Sequence, residues 1–267
     1  MTEPTRDSRI APQVDYDVFV NWGKRLEREA PFFRRVFAEA GAHRIIDVGA
    51  GSARHSLMFA SWGLSVDAVD PSDSMLEQAE RNIAQAATQV AEAGGEVRLV
   101  RGGFGELATL GLRDADALVC TGNALPHVAD VAALRVAFAD FAAVLRPGGV
   151  VVLHLLNHGR LLANKPRTIP PVLRDTPEGT LVFLRVLDYP EDRAVISFDF
   201  ITMTRDAEGQ WELASRRSDH TALSPELLRA ELEAAGFEHV ELLGGHDGHA
   251  LTDADESVIV VAKRPAV

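Results

Sequence analysis

The sequence predicts an α/β fold in which a mostly parallel, twisted sheet carries helices on both faces. Three observations support this prediction: short apolar runs alternate with longer amphipathic segments, a glycine-rich turn follows the first apolar run, and a late block consists of strand-like runs alone. Strands that alternate with helices need crossover connections, which pair the strands in parallel. We expect one domain over residues 1–267, made of an N-terminal helical lid (1–43), a ligand-binding core (44–158), inserted antiparallel strands that cover the site (159–222), and a C-terminal helix with closing strands (223–267).

The first elements follow from local patterns. The apolar spacing after Tyr16 predicts a helical region that is broken near Pro31 and stops at Gly41. "RIIDVGAG" predicts a short buried strand that runs into a glycine turn, and "ARHSLMFASWG" predicts a helix. "LSVDAVD" predicts a second strand, which ends on Asp70, and the next helix has Ser72 or Asp73 as its cap.

The rest of the core repeats this alternation. "EVRLVRG" and "ALVCTG" predict strands, "VADVAALRVAFADFAAVL" a helix, and "VVVLHLLN" a strand after an "RPGG" turn. From about 179 to 219, strand-like runs separated by "YPED" and "DAEGQ" predict antiparallel strands. "SPELLRAELEAAGF" then predicts a helix capped by Ser224, and "HVELLGG" and "SVIVVAKR" predict a closing pair of strands.

Composition narrows the possible partners. The formal net charge is -12 and 46% of the residues are hydrophobic, the balance of a globular protein whose field repels nucleic acid and anionic membrane surfaces. The amino terminus shows no secretory signal, and "GVVVLHLL" is too short to span a membrane. Cys120 is the single cysteine, which fits a reducing compartment. We therefore expect a cytoplasmic protein that acts on a small molecule, with its oligomeric state left open.

The glycine turn is the strongest candidate for a binding site. Gly49 and Gly51 lie where a strand enters a helix, a position at which open α/β sheets bind ligands, and Asp70 ends the next strand. A dinucleotide fingerprint requires a third glycine at position 54, where this chain has Arg54, and Asp47 before the turn would repel a pyrophosphate. A positively charged sulfonium ligand without phosphate suits both departures.

In this order and at these distances, the segments resemble those of class I S-adenosylmethionine-dependent methyltransferases, over most of the chain from about Tyr16 to Lys263. "DVGAGSA" resembles the family's D-x-G-x-G-x-G loop, with Ala53 in place of the third glycine. "VDAVDPSDSMLEQAE" resembles its second segment and "LRPGGVVVL" a later turn and strand. The resemblance implies a Rossmann-like fold, S-adenosylmethionine as the cofactor with S-adenosylhomocysteine as product, and transfer of a methyl group to nitrogen or oxygen of a small molecule.

The resemblance also implies roles for individual residues. Asp70 would hold the ribose, Met75 would lie against the adenine, and Arg25 would pair with the cofactor's carboxylate. The full set of implied cofactor contacts is Tyr16, Trp22, Arg25, Asp47, Gly49, Ala50, Gly51, Asp70, Pro71, Met75, Gly103, Phe104 and Thr121.

Within the class, "CTGNALPHV" and "YDVFVNWGKRLE" resemble the glycine and sarcosine N-methyltransferase group, in which N-terminal helices cover the cofactor. Two departures stand out. Gly103 precedes Phe104 where the family commonly has an acid or amide that meets the adenine amino group. Leu156 precedes Asn157 where the glycine-methylating members have an arginine, which argues against glycine itself as substrate.

Candidate catalytic and acceptor-binding residues follow the fourth and fifth strands. If the acceptor is an amine it must lose a proton before attack, and His127 or Tyr16 could receive it, with Asn123 beside them. Expected acceptor contacts are Asn123, His127, Asn157, Arg167 and Arg174. The two arginines lie in a cation-rich segment, "NHGRLLANKPRTIPPVLR", which serves either an anionic group on the acceptor or solubility.

The sequence argues against a metal site and leaves an alternative function open. No metal site is expected, since "HDGH" (246–249) fits a surface loop and His154 a buried, hydrogen-bonded position. A non-catalytic sensor or assembly protein that binds S-adenosylmethionine or S-adenosylhomocysteine is the alternative function. A nicotinamide dehydrogenase is disfavoured by Arg54.

Overall fold

A computed structural model describes residues 16–177 and 179–266 of the chain. Its helices are α1 (Tyr16–Phe19), α2 (Trp22–Ala40), α3 (Arg54–Ala60), α4 (Asp73–Glu92), α5 (Val131–Val144), α6 (His158–Asn164) and α7 (Pro225–Ala234), with a 3-10 turn at Leu125–His127. Its strands are β1 (Arg44–Val48), β2 (Ser65–Asp70), β3 (Glu96–Arg101), β4 (Ala115–Cys120), β5 (Leu145–Leu156), β6 (Thr168–Thr176), β7 (Gly179–Asp188), β8 (Val195–Arg205), β9 (Trp211–Thr221), β10 (Glu238–Leu243) and β11 (Ser257–Lys263). None of the described helices is long and apolar enough to cross a membrane.

The described residues form two compact units. The larger comprises 22–165 and 220–266, and the smaller comprises 16–21 and 166–219. The prediction of a single domain with a lid, a core, an insertion and a closing segment stays a prediction.

The larger unit contains a seven-stranded sheet of order β10-β11-β5-β4-β1-β2-β3. β1, β2, β3, β4 and β5 pair in parallel, whereas β11 runs antiparallel to both of its neighbours. The predicted α/β fold with a mostly parallel sheet is confirmed. Parallel pairing brings the carboxyl ends of β1, β2, β4 and β5 to one edge of the sheet, where the glycine turn lies.

Alternate residues of the central strands face two separate apolar layers. In β5, Val151 and Leu153 pack with α5 and α7, whereas Val150 and Val152 pack with α2 and α3. His154 follows Val152 by two positions, so it shares the face of β5 that α2 covers.

α2 supplies much of the second layer and corrects one prediction. The expected break near Pro31 is wrong, because the helix runs through this residue. A proline inside a helix costs about 3 kcal/mol. The four buried side chains that follow it recover more than this, at about 1.5–3 kcal/mol each. These side chains are Phe32, Phe33, Val36 and Phe37.

The smaller unit contains a four-stranded sheet of order β6-β7-β8-β9, in which β7 pairs antiparallel with β6 and with β8. The antiparallel insertion is confirmed, but its first strand, β6, was not predicted. β6 contains Pro170 and Pro171 and shows a register shift between Ile169 and Val172. Proline fits such a strand because β6 lies at the sheet edge, where a missing N–H leaves no neighbour unsatisfied.

Candidate active site

The glycine turn after β1 is held against the end of β2. The backbone N–H groups of Gly49 and Ala50 both donate to the carbonyl of Val69, at 2.8 and 3.0 Å. Gly49 has φ 72°, and a Cβ there would lie 2.6 Å from the Cβ of Ala124, so a side chain has no room. Gly51 has φ 56°, and a Cβ there would meet only the Sδ of Met75, at 4.0 Å. The turn is therefore packed behind Gly49 and open beside Gly51.

Ala53 stands where the family loop has its third glycine. It is buried and keeps the left-handed conformation, with φ 60°. An alanine in this region is strained, since left-handed geometry is favourable mainly for glycine. The loop thus has a left-handed residue at position 53 although that residue is alanine.

Asp70 closes the turn from the end of β2. Its Oδ2 accepts the N–H of Gly51 at 2.8 Å, and its Oδ1 accepts the N–H of Ser72 at 2.9 Å. Pro71 lies between Asp70 and the cap of α4. Burial raises the pKa of the Asp70 carboxyl above its ordinary value, against the lowering effect of the two backbone N–H groups and of His127. Each carboxylate oxygen retains a further lone pair for a ligand.

Asp47 lies under the turn and is 1% exposed. The hydroxyl of Ser56 donates to its Oδ2 at 2.6 Å, while its Oδ1 is buried without a hydrogen-bond partner among the described residues. Burial raises the pKa of this carboxyl as well. An unsatisfied buried acceptor is costly, so this oxygen is a place where a ligand donor would be stabilised.

Phe104 and Gly103 form another wall, after β3. A Cβ on Gly49 would lie 3.9 Å from the Cζ of Phe104, so the ring flanks the turn. The N–H of Gly103 donates to the Oε2 of Glu106 at 2.7 Å. The sequence lacks an acid directly before Phe104, but Glu106 brings a carboxylate to the same backbone segment.

Trp22 and Arg25, at the start of α2, connect to the end of β4 through a chain of contacts. The guanidinium of Arg25 lies 5.2 Å from the Trp22 ring centre, and its Nε donates to Glu29 at 2.9 Å. The other oxygen of Glu29 is 2.7 Å from Nε2 of His55, and Nδ1 of His55 is 3.2 Å from Oγ1 of Thr121. Arg25 therefore already has an anionic partner within the chain.

The loop after β4 brings two histidines together. The ring centre of His127 lies 4.5 Å from that of His220, the penultimate residue of β9. Asn123 adopts φ 65°, its Oδ1 accepts the N–H of Leu156 at 3.0 Å, and its Nδ2 lies 3.3 Å from Nδ1 of His220. Asn123 thus fixes the ends of β4 and β5 to each other and to His220.

The remaining candidates divide between the units. Asn157 is buried and caps α6, since its Oδ1 accepts the N–H of Arg160 and its Nδ2 donates to the carbonyl of Asp255. Arg167 pairs with Asp188 at 2.9 Å in the smaller unit, where Arg174 also lies. Tyr16 begins α1 in that unit, but its side chain lies outside the described part of the structure.

Three site residues were missed by the sequence analysis. Glu106 and Glu29 had no motif to mark them, although Glu29 stands four residues after Arg25 on one helix face, a spacing that favours an ion pair. His220 is distant in sequence from His127, and no local signal joins them.

Part of the chain matches known methyltransferases in sequence. A family model described as "Methyltransferase domain" matches residues 45–149. The glycine/sarcosine N-methyltransferase of Parasynechococcus marenigrum (strain WH8102) is 32% identical over 148 residues, which are 55% of this chain and 50% of that protein. The chain spans about half the length of the curated relatives it matches.

Solved structures share the fold over nearly the whole chain. An S-adenosylmethionine-dependent methyltransferase from Clostridium acetobutylicum ATCC 824 superposes with a TM-score of 0.74 at 16% identity, over 92% of this chain and 93% of that one. The sugar N-methyltransferase KedS8 from Streptoalloteichus sp ATCC 53650 gives 0.72 at 24% identity, over 99% and 98%. Residues 45–149 thus match a methyltransferase domain, and over nearly its whole length the chain shares the fold of solved S-adenosylmethionine-dependent methyltransferases.

Proposed function

We propose that the chain is an S-adenosylmethionine-dependent methyltransferase that methylates a nitrogen atom of a small molecule. The observation that carries this proposal is the glycine turn, which is packed behind Gly49, open beside Gly51 and bordered by the carboxylates of Asp47 and Asp70. Two carboxylates and no glycine at position 54 suit a cationic ligand better than a pyrophosphate. The proposal extends the matched domain and the shared fold to an activity.

The residues around the turn fit the cofactor. Asp70 would accept the ribose hydroxyls through its free lone pairs, and Met75 and Phe104 would flank the adenine beside the open face of Gly51. Glu106 would supply the acceptor for the adenine amino group that position 103 lacks. Asp47, through its unpartnered Oδ1, would accept a donor from the amino-acid part of the cofactor or from a water that it holds. The backbone of Ala50, Pro71 and Gly103 and the hydroxyl of Thr121 would complete the contacts.

Arg25 keeps the role that the resemblance implies, but it has a second partner, Glu29, that the sequence did not indicate. Its guanidinium is paired with Glu29 and lies beside Trp22, so it would contact the cofactor carboxylate while keeping Glu29 as its other partner. Five donors in a planar group allow both contacts at once. Trp22 would act by holding Arg25 in place.

Methyl transfer needs little covalent chemistry from the protein. When bound, the cofactor would supply an electrophilic methyl group, to which the acceptor nitrogen would bond as the methyl–sulfur bond breaks and S-adenosylhomocysteine leaves. The residues of the chain hold the two reactants in near-attack geometry and exclude water, which can account for most of the acceleration. The acceptor amine must lose its proton, and His127, with His220 and Asn123 against it, is the group we assign to receive that proton. Tyr16 remains the second candidate.

The acceptor is best sought among amines. The matched relatives are glycine and sarcosine N-methyltransferases, and two structural neighbours are a sugar N-methyltransferase and an amino pentose methyltransferase. Leu156 stands where an arginine would grip an amino-acid carboxylate, which favours a larger amine such as an amino sugar over glycine. Asn157, Arg167 and Arg174 are retained as acceptor contacts, and a cytoplasmic location is retained on the single, buried Cys120.

The test is a transfer assay. Purified protein is incubated with S-adenosylmethionine and a panel of glycine, sarcosine, amino sugars and phenols, and both S-adenosylhomocysteine release and the methylated product are followed by mass spectrometry. We expect product from at least one amine and none from the phenols. Tight cofactor binding without turnover on any acceptor would favour the sensor alternative, and absence of cofactor binding would overturn the proposal altogether.

A further inference from the structure

A second cluster of polar side chains lies within the larger unit and is not part of the glycine turn. It joins Glu29 of α2, His154 of β5 and His246 of the segment between β10 and β11. One ligand atom from each of these side chains lies within 4.8 Å of the other two. Three separate elements therefore bring two imidazoles and a carboxylate together.

One ring nitrogen of each histidine in this cluster has no hydrogen-bond partner among the described residues. Nε2 of His246 and Nδ1 of His154 are buried and make no hydrogen bond within the described chain. The side chain of His246 is 6% exposed, and its Nε2 lies 3.9 Å from Oε2 of Glu29, beyond hydrogen-bond length. The two imidazole rings are centred 4.9 Å apart at 78°. Two histidines with unpartnered buried nitrogens, gathered around one carboxylate with ligand atoms within 4.8 Å of one another, mark a place for a further atom.

The protonation states suit a cation. Glu29 is ionised, because hydrogen bonding and charge from His55 and the charge of Arg25 hold its pKa well below the ordinary range despite burial. Burial lowers the pKa of His154 to about 3 and that of His246 to about 4. Both imidazoles are therefore neutral near pH 7 and have lone pairs to offer a metal.

We propose that Glu29, His154 and His246 form a binding site for a divalent transition metal ion, with Zn²⁺ as the expected occupant. Two imidazole nitrogens and one carboxylate oxygen are a donor set that zinc accepts, with a fourth position left for water. Bond lengths of about 2.0–2.2 Å would draw the ligand atoms closer together than they stand now.

The surroundings of the cluster support the same proposal. His55 bonds the Oε2 of Glu29 at 2.7 Å and so orients the carboxylate, as outer hydrogen bonds do in metal sites. The rings of Phe32 and Phe33 lie 5.3 and 5.9 Å from His246 and exclude water on that side. His154 as a residue retains some exposed surface, which gives an ion a way in. The positive charge of Arg25, on the other oxygen of Glu29, weakens the site but does not block it.

A metal here would serve the fold rather than the methyl transfer. It would link α2 to β5 and to the segment after β10. His55, which contacts Glu29, also lies within hydrogen-bond distance of Thr121. Binding to the folded state alone raises the melting temperature with metal concentration.

The experiment uses the full chain after dialysis against a chelator. Co²⁺ is titrated in as a spectroscopic substitute, Zn²⁺ is titrated by calorimetry, and metal content is measured after gel filtration. We expect one ion per chain, Co²⁺ absorption bands of a low-coordinate site with nitrogen ligands, and a rise of several degrees in melting temperature with Zn²⁺. His246→Gln and His154→Gln should each weaken Zn²⁺ binding by about 10²-fold, as loss of a protein ligand removes one of three bonds.

Two controls separate this site from others. His43→Gln removes an exposed histidine, and His249→Gln removes the exposed histidine that lies between Asp247 and Asp255. Neither should change the stoichiometry or the bands. Equal Zn²⁺ affinity in wild type and His246→Gln, loss of binding only in His249→Gln, or less than about a tenth of an ion per chain would each overturn the proposal in favour of a bridging water.

If His246→Gln fails to fold, the Co²⁺ absorption spectrum of the wild-type protein tests the proposal instead. Spectra without nitrogen-ligand character would overturn the proposal by themselves. S-adenosylhomocysteine binding is measured on the same samples, so that failure of the proposed activity and failure of the metal site are seen independently.

Discussion

The glycine turn and the Glu29, His154 and His246 cluster both gather polar groups in the larger unit, but their origins differ. The turn and its carboxylates come from one strand, turn, helix and strand, residues 44–70. The cluster draws on α2, β5 and the segment after β10, which meet only once the sheet has formed. The turn therefore depends on residues close together in sequence, whereas the cluster depends on tertiary packing. Substitutions in the two regions should have different effects on stability and on ligand binding.

Glu29→Gln should have the largest effect on stability. The substitution removes a fully buried charge and leaves Arg25 and His55 without their anionic partner, and breaking a buried pair costs about 3–5 kcal/mol. Glu39→Gln is the matched control, since Glu39 is 61% exposed beside Arg35. Urea unfolding should show a loss of several kcal/mol for the first and within about 0.5 kcal/mol for the second. Equal losses would mean that the pairs of Glu29 with Arg25 and His55 stabilise the fold no more than an exposed ion pair does.

Gly49→Ala should disrupt the turn more than glycine strain alone explains. Gly94 has the same φ of 72° with nothing within 4 Å of a Cβ, so Gly94→Ala measures the strain, at about 1–2 kcal/mol. Gly49→Ala adds a clash with Ala124, worth about 1–3 kcal/mol more. Denaturant unfolding of the pair should show this difference, and S-adenosylhomocysteine affinity should fall only for Gly49→Ala. Identical behaviour would contradict the packed turn.

His127→Ala separates chemistry from binding beside the turn. Loss of a proton acceptor should lower turnover by about 10²-fold, while S-adenosylhomocysteine affinity stays within twofold. Steady-state kinetics on the best acceptor and calorimetry on the same samples measure the two effects, with His43→Ala as the control. A loss of affinity at unchanged turnover would remove His127 from the chemistry.

His158 concerns pH: its effect on stability should be small at pH 7 and should grow as the pH decreases. Burial lowers its pKa to about 4, from an ordinary value of 6.5, and its Nδ1 accepts the N–H of Leu223 at 3.0 Å. Between pH 6.5 and about 4 the unfolded chain therefore binds a proton that the folded chain does not. The free energy of unfolding should fall by up to about 1.4 kcal/mol per pH unit as the pH decreases through this window.

His158→Gln should reduce the slope of that part of the pH profile relative to wild type without abolishing it, because the pKa values of His154 and His246 are lowered as well. His43→Gln should leave the slope unchanged. Urea unfolding at intervals from pH 7 to pH 4 measures the three slopes. A wild-type slope that persists in His158→Gln would assign the effect to other groups.

The sequence predicts the turn well because its signals are local. The apolar run of β1, the glycines that follow and Ser72 as the cap of α4, whose hydroxyl accepts the N–H of Met75, all lie within a short stretch and point to the same structure. The same logic fails for β6, where Pro170 and Pro171 indicate a loop although an edge strand accepts both.

Packing between distant elements explains the remaining failures. Asp247 and Gly248 make the segment after β10 typical of an exposed turn, and the sequence analysis assigned His246 to the surface with it. In the structure His246 is buried against Phe32 and Phe33, whereas His249 is the exposed member. His154 was expected to be hydrogen-bonded, yet its Nδ1 has no partner among the described residues. The residues next to each histidine in the sequence do not indicate which of them is buried or which has a hydrogen-bond partner.

We propose that the turn closed by Asp70 binds the cofactor. Calorimetric titration of S-adenosylhomocysteine into wild type, Asp70→Ala and Asp73→Ala tests it most directly, since Asp73 is an exposed acid three residues away, 64% accessible at its side chain. We predict micromolar binding to wild type and to Asp73→Ala, and binding too weak to measure in a folded Asp70→Ala. Unchanged affinity in Asp70→Ala, or no binding by folded wild type, would contradict the account.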